Sequence, residues 1–402
     1  MANSMQWRDA YTLMTDLAEQ TTGQTGIRVS DTSEFVSVGE TVLRTGYDNV
    51  LSAISNLVSR TIISVREYRG KLDILRTTET RWGAQVRKLT PLYMGYEESQ
   101  DANTDLNPTQ LADGAATHVY AIKNPKVLQL NMYGSQKLQK HITRYRDQLA
   151  GAFANEADFM AFIDGVMMEY ANEIELANEN KARATLLNAI AGVINYQDAR
   201  TIDLVYEYNQ RNNTTLTRDD CFKSANISDF MKFVAAEIKI YSQRLTDFTA
   251  LYHSNITGYD PILRHTPKDR QKMVMYNPMF ITAESEVYSS LFNPEYLSIG
   301  DFEGVNYWQN PNDPTAIKCL PNILNEATGA SEDAANAIEQ DFVLGFLFDE
   351  EALGILPQFD WSATTPLDAA RGLYQIYSHW RFQSYTDYTE NMIVFVLGAG
   401  GV

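Results

Sequence analysis

Apolar positions recur along this chain at two different periods, and the switches between them mark out its elements. The longest helical pattern covers 155–192, where Phe159, Ile163, Val166, Tyr170, Ile174, Ala177, Ala184 and Leu187 recur mostly at spacings of three and four. Glu156 and Asp158 fall in its first turn, where the helix dipole favours acids. Gly165 is its one weak point. At 1.5 Å per residue such a helix spans roughly 54 Å, longer than a small domain is wide, so it is predicted to be a spine. A second helix is predicted over 228–253, capped by Ser228, from Phe230, Phe233, Val234, Ile238, Tyr241, Leu245, Phe248 and Tyr252. A short one near the N-terminus, capped by Ser4, places Trp7, Tyr11, Met14 and Leu17 on one face, and Val50–Val58 is also amphipathic.

Alternation replaces this period in 61–132. Ile63 and Val65, then Leu72 and Ile74, flank the turn Arg69-Gly70-Lys71 and predict a hairpin. Trp82, Ala84 and Val86 alternate again, and so do Leu128, Leu130 and Met132. Between these lies EESQDANTDLNPTQLADG, a loop by its turn chemistry. The region reads as an extended β excursion with too little apolar mass to stand alone. Further strands are expected in MVMYNPMFITAE, Phe342 to Phe348, Gly354 to Phe359, and a buried final run at 391–397. Residues 301–340 read as loop-rich, 367–383 as helical, and the closing GAGGV as a frayed terminus. No internal repeat of 20–50 residues is present, and the class is α+β.

Composition narrows the function. The chain has 402 residues, two cysteines, and 33 basic against 51 acidic residues, a formal net charge of −18. That balance argues against gripping phosphate backbones or anionic membranes. Cys221 and Cys319 form no C-x-x-C pair, which rules out a disulfide framework and a thiolate zinc site. A signal peptide is not apparent and no run approaches membrane-spanning length, so a soluble protein made in a reducing cytoplasm is expected.

Catalytic chemistry is scarce. P-loop, H-E-x-x-H and G-x-S-x-G motifs are missing. His253 and His265 flank a loop containing Asp260, but no two histidines have local metal-ligand spacing, and surface or capping roles are the simpler reading. The Asp101–Asp105 segment has Leu106 and Ala112 where a calcium loop needs Gly and Glu. Asp349, Glu350 and Glu351 read as a solvated turn before they read as a catalytic pair. The aromatic residues are dispersed, which suits interfaces and core better than one sugar groove. No cofactor, metal or catalytic residue is assigned.

Charge layout says more. Arg60 to Lys88 holds eight bases and three acids, and Ala121 to Ala150 six bases and one acid. Asn155 to Asn180 has seven acids and no base, and Cys319 to Ala370 has ten acids and no base. Two readings are open: the basic excursion pairs with its own acidic body, or with the body of a neighbouring copy. The second makes Arg81, Arg87 and Lys88 inter-subunit contacts. A contact of that kind is heterologous and builds rings or arrays. Reversing all three to Glu is then expected to impair assembly and leave the subunit folded.

The order of elements, together with FVLGFLFDEEALGILPQFD, TTPLDAARGLYQIYSHWRF and ENMIVFVL in 342–397, resembles the major capsid proteins of tailed bacteriophages. MVMYNPMFITAESEVYSSLFNPEYL is similar to that family's apical strand and helix, and TRWGAQVRKL to part of its extended loop. The resemblance implies the tailed-phage major capsid fold. Its parts would be an N-terminal arm (1–60), an extended β loop (61–132) and a peripheral domain with the spine helix (133–225). An apical α/β domain (226–340) and a return to the peripheral domain (341–402) would complete it. It further implies a non-enzymatic protein that self-assembles into pentamers and hexamers of an icosahedral virion shell, built in the host cytoplasm. Scaffolding and portal proteins are the implied partners, with double-stranded DNA enclosed but not read. A non-viral nanocompartment shell of the same fold and a carbohydrate-active hydrolase are the alternatives.

Overall fold

The computed structural model describes residues 14–19, 21, 29–30, 34, 37–39, 41–42, 70–76, 85–92, 127–133, 136–145, 156–257, 262–279, 281, 301–364, 368 and 373–400. The Ile63/Val65 pair, Arg81, Trp82, Val50–Val58 and the Asp101–Asp105 loop lie outside them. The chain divides into two units: 1–83, 134–182 and 355–384 make one, and 84–133, 183–354 and 385–402 the other. The spine α1 (Glu156–Tyr196) supplies residues to both. It has 41 residues, about 60 Å at 1.5 Å each, so the predicted helix exists and runs four residues further than its pattern.

In the first unit a three-stranded sheet has the order β12-β13-β3, from β3 (Gln136–Tyr145), β12 (Leu353–Thr364) and β13 (Leu373–Thr386). β13 and β3 are antiparallel, with Ile376 opposite Ile142 and Trp380 opposite Leu138. This corrects the helix expected over 367–383. In LYQIYSHWRFQSYT every second residue at Ser378, Trp380 and Phe382 is buried, and the aromatic and branched residues suit a pleated surface. The turn expected at Gly70 is also different. Leu72–Arg76 forms one 3-10 turn (Asp73–Leu75) that buries Leu72 and Leu75, spaced three apart, and no strand is built on Leu72 and Ile74. Glu175, buried on α1, holds this segment: its carboxylate accepts from the Gly70 N–H (2.7 Å) and pairs with Arg76 (2.7 Å).

The second unit is built on a five-stranded mixed sheet. Its order is β4-β14-β11-β5-β6, from β4 (Thr201–Asp203), β5 (Gln271–Tyr276), β6 (Asp301–Val305), β11 (Val343–Asp349) and β14 (Met392–Val396). Every residue of β11 and β14 is buried, which explains their uninterrupted apolar runs. Met273, Met275, Leu347, Ile393 and Phe395 share one core with α4 (Ile227–Arg244), whose Phe230, Val234, Ile238 and Tyr241 form its buried stripe. Val274, Phe346 and Val394, which alternate with them, are buried as well.

α4 starts from Asn226, so Ser228 lies inside the helix and not at its cap. It ends at Arg244, short of 253, because the Thr246 hydroxyl donates to the Gln243 carbonyl (2.6 Å) and Thr249 forms an antiparallel bridge with Arg264. Two short helices precede it: α2 (Leu204–Asn212), capped by Asp203, and α3 (Arg218–Cys221), which has a Thr217/Asp220 capping box. Residues 301–340, expected to be loop-rich, contain β6 and two small antiparallel strand pairs. One pairs β7 (Ile317–Cys319) with β10 (Ile338–Gln340), and the other β8 (Asn322–Leu324) with β9 (Ser331–Asp333).

The C-terminal part of α1 is held by hydrogen bonds. Tyr196 Oη donates to the Leu324 carbonyl (2.8 Å) and accepts from its N–H (2.9 Å). Tyr388 Oη donates toward the Asn188 and Asn322 carbonyls (3.0 and 2.9 Å) directly above Gly192. Gly398–Gly400, expected to fray, is pinned. The Gly398 N–H donates to Asp203 (3.0 Å), the Ala399 carbonyl accepts from the Arg218 N–H (3.0 Å), and Gly400 bridges to Thr217 at φ +67.

Candidate assembly surface

The described base of the β excursion is a two-stranded antiparallel ribbon of β1 (Gln85–Pro91) and β2 (Val127–Tyr133). Lys88 opposes Leu130, Thr90 opposes Leu128, and Leu89 opposes Gln129. Alternation gives the ribbon two faces. Lys88, Thr90, Leu128 and Leu130 are buried or half-buried, while Arg87, Leu89, Pro91, Val127, Gln129 and Asn131 are exposed.

The inward face is fastened by charge. Lys88 Nζ donates to Asp387 (2.9 Å) and to Glu390, with Glu351 at 3.5 Å. Arg264 donates to the Glu390 carboxylate (2.9 Å), the Thr90 hydroxyl (3.1 Å) and the Thr389 carbonyl (3.1 Å). Asp387 in turn accepts from the N–H (2.9 Å) and hydroxyl (2.6 Å) of Thr389, so the tight 387–390 turn presents both acids to the ribbon. Burial alone would lower the Lys88 pKa, but the Asp387 and Glu390 charges outweigh it and hold the ammonium above the usual lysine range. Burial pushes Glu390 up against the opposing pull of Lys88 and Arg264. Burial also pushes the Tyr385 hydroxyl, which feels Lys88, Glu351 and Asp387, up to about 12.

The three cations assigned to neighbour contacts therefore part company. Lys88, read as offered to another copy, is taken up inside its own chain: its acidic partners lie 299 and 302 residues away in sequence, a separation that charge counting cannot see. Arg87 is exposed and has no ion-pair partner among the described residues. Arg81 falls outside the described residues. Other basic residues of the two blocks are also spent internally, Arg76 on Glu175 and Lys140 on Glu173.

The weaker chemical candidates have structural occupations. His253 is buried, its Nε2 donating to the Ile262 carbonyl (2.7 Å) and its Nδ1 facing the Asn391 side chain (3.1 Å). Burial lowers its pKa. His265 packs on Phe248 with ring centroids 4.3 Å apart. Asp349 accepts from the Thr266 hydroxyl (2.7 Å) and the Glu351 N–H (2.9 Å), while Glu350 and Glu351 pair with Arg270. Among the described residues no group of three His, Cys, Asp or Glu side chains is placed to hold a metal, and no helix is long and apolar enough to cross a membrane.

The model of the Phi29-like phage major capsid protein family matches residues 13–396. The chain belongs to that family. A chain in the capsid structure of Staphylococcus phage Andhra is similar over 84% of this chain and 86% of its own, with a TM-score of 0.54 at 10% identity. A chain in the structure of head fiber and inner core protein gp22 of native bacteriophage P68 is similar over 83% and 86%, with a TM-score of 0.52 at 9% identity. At such identities the likeness is one of fold. No curated protein matches. This capsid protein has the mixed α+β tailed-phage major capsid fold, is a component of the virion, and forms its shell.

Proposed function

We propose that the subunit builds an icosahedral shell from pentamers and hexamers, with the 61–132 excursion reaching from one copy to the acidic body of the next. The observation that carries this reading is the division of labour across the ribbon. Its inner face, Lys88 and Thr90, is locked to its own subunit, so the outer face, with Arg87, Leu89 and Val127, is displayed in a fixed direction. Arg87, which has no ion-pair partner among the described residues, would set register and partner choice between copies that each carry a net charge of −18. On this reading 1–60 is an arm, 133–225 with 341–402 a peripheral domain, and 226–340 an apical domain.

The role is architectural and not catalytic, which agrees with the structural engagement of Asp349, Glu350 and Glu351. Family membership supports, as part of this reading, assembly in the host cytoplasm with scaffolding and portal proteins as partners. The strongly acidic chain suits a container that encloses double-stranded DNA by geometry and does not grip it.

Electron microscopy of the expressed chain tests the reading: rings or closed shells are expected, and a persistent monomer would refute it. The contact itself is tested by Arg81→Glu with Arg87→Glu. Lys88 is left intact because reversing it would strike the subunit's own fold. The double variant should stay folded and lose assembly; normal assembly with unchanged salt dependence refutes the strap.

A further inference from the structure

A buried chain of hydrogen bonds ties the loop after α4 to the ends of β11 and β14. His253 Nε2 donates to the Ile262 carbonyl (2.7 Å), and Nδ1 meets Asn391 Oδ1 (3.1 Å). Asn391 Nδ2 donates to the Thr266 hydroxyl (3.2 Å), which donates to the Asp349 carboxylate (2.7 Å). All four side chains are buried, so the chain must satisfy itself.

Counting protons exposes a deficit. Both ends, the Ile262 carbonyl and an ionised Asp349, only accept, and the four contacts between them need four protons. A neutral imidazole supplies one, the Thr266 hydroxyl one, and the Asn391 amide one, whichever way it is turned. Nδ1 and Oδ1 then face each other as two acceptors. Turning the amide over lets it donate to Nδ1 but moves the mismatch to Thr266. One added proton completes every contact in either of two patterns. It sits on Nδ1 with Asp349 ionised, or on the Asp349 carboxyl with the Thr266 hydroxyl and the Asn391 amide turned toward His253.

The cations facing His253 are Arg264 and Arg200, which donates to the Ser254 hydroxyl beside it (2.8 Å); the acid at the far end of the chain is Asp349. Glu390, next to Asn391 in sequence, is taken by Lys88 and Arg264, and His265 stacks on Phe248. Burial, more than the two guanidiniums, lowers the His253 pKa against the pull of its hydrogen bonds.

We propose that this chain is a single-proton site, in which His253 and Asp349 share one proton taken from solvent in mild acid and titrate as a unit through Asn391 and Thr266. It acts as a pH-sensitive latch, because the loop it fastens carries Arg264, whose guanidinium holds Thr90 of the ribbon and Glu390. The folded value lies below that of an exposed histidine, about 6.5, so acid favours the opened loop as pH falls between the two, and then no further until the carboxylate range.

The test is NMR titration of the full chain, reading the His253 ring nitrogens and the Asp349 carboxyl carbon. One shared midpoint below about 6.5 is expected. Asp349→Asn supplies the missing proton from its own amide, so His253 should stay neutral to at least about one pH unit below the wild-type midpoint. Thr266→Val keeps both charges but cuts the chain, which frees Asn391 to donate to Nδ1, and should lower the His253 midpoint likewise. Thr266→Ser, which keeps the hydroxyl, should titrate as wild type. Amide exchange of Thr249 and Arg264, corrected for its intrinsic pH dependence, should quicken down to the midpoint and level off there in wild type, and keep quickening in Asp349→Asn. Separate midpoints for the two residues overturn the inference. So does Thr266→Val with the wild-type His253 midpoint, because charge alone would then couple them. Should Thr266→Val fail to fold, Asp349→Asn decides: proton uptake at the wild-type midpoint overturns the proposal.

Discussion

Replacing Lys88 with Met keeps an apolar stem and removes the ammonium that fastens the ribbon. The side chain is 17% exposed, and its partners Asp387 and Glu390 are 1% and 6% exposed, so this is a buried cluster. Deleting one member of a buried pair costs about 3–5 kcal/mol, because the remaining charge is stranded. Two features reduce that here. Arg264 stays on Glu390, and Asp387 keeps the N–H and hydroxyl of Thr389. A net loss of about 2 kcal/mol is therefore expected. It should lower the thermal midpoint of the unassembled subunit by a few degrees and speed amide exchange in 85–92 and 127–133. A double-mutant cycle with Asp387→Asn should return a coupling of at least about 1 kcal/mol. The proton linkage has a defined sign. The folded-state pKa of Lys88 is raised, so its contribution is fully present below the ordinary lysine value of about 10.4 and is lost as pH climbs through the raised value. Wild type should lose stability in that alkaline window more steeply than Lys88→Met. A variant within about 0.5 kcal/mol of wild type, with unchanged exchange in the ribbon, would show that Lys88 is not an anchor.

Gly192→Ala should destabilise the second unit, although Ala is the better helix former by about 1 kcal/mol, because the new Cβ would sit 2.0 Å from Tyr388 Oη; thermal unfolding checks the sign. The Asp220 carboxyl, hydrogen-bonded by Lys223 and Thr217, should titrate at about 2 by NMR. Its contribution to the α3 cap is present above the ordinary carboxylate value and lost as pH falls through 2, and Thr217→Ala should move that midpoint up.

Strongly periodic and fully apolar segments were legible in the sequence. α1 announces itself by recurrence at three and four, and β11 and β14 by apolar runs that only a doubly covered strand produces. Two segments misled for opposite reasons. Ala369-Ala370-Arg371-Gly372-Leu373 favours helix locally, yet β13 begins at Leu373, where pairing with β3 lets the alternating aromatics decide. β3 itself, QKLQKHITRY, has only Leu138 and Ile142 as large aliphatic residues and announces no strand until its partner is known. At the assembly surface the excess of positive charge on the excursion was readable. Which cation faces inward was not, because that depends on strand register and on a 387–390 turn distant in sequence from Lys88.

β14 lies between β4 and β11, so an interior place in the five-stranded sheet is filled by residues 392–396, nearly two hundred positions after β4. A nascent chain lacking that segment leaves Phe346, Leu347 and Phe348 without their neighbour on one side. Docking of Asp387 and Glu390 on the ribbon waits for the same stretch. A half-made polypeptide therefore lacks both the completed sheet and the acids that fasten the ribbon, and the body of the second unit closes only once translation has passed residue 396.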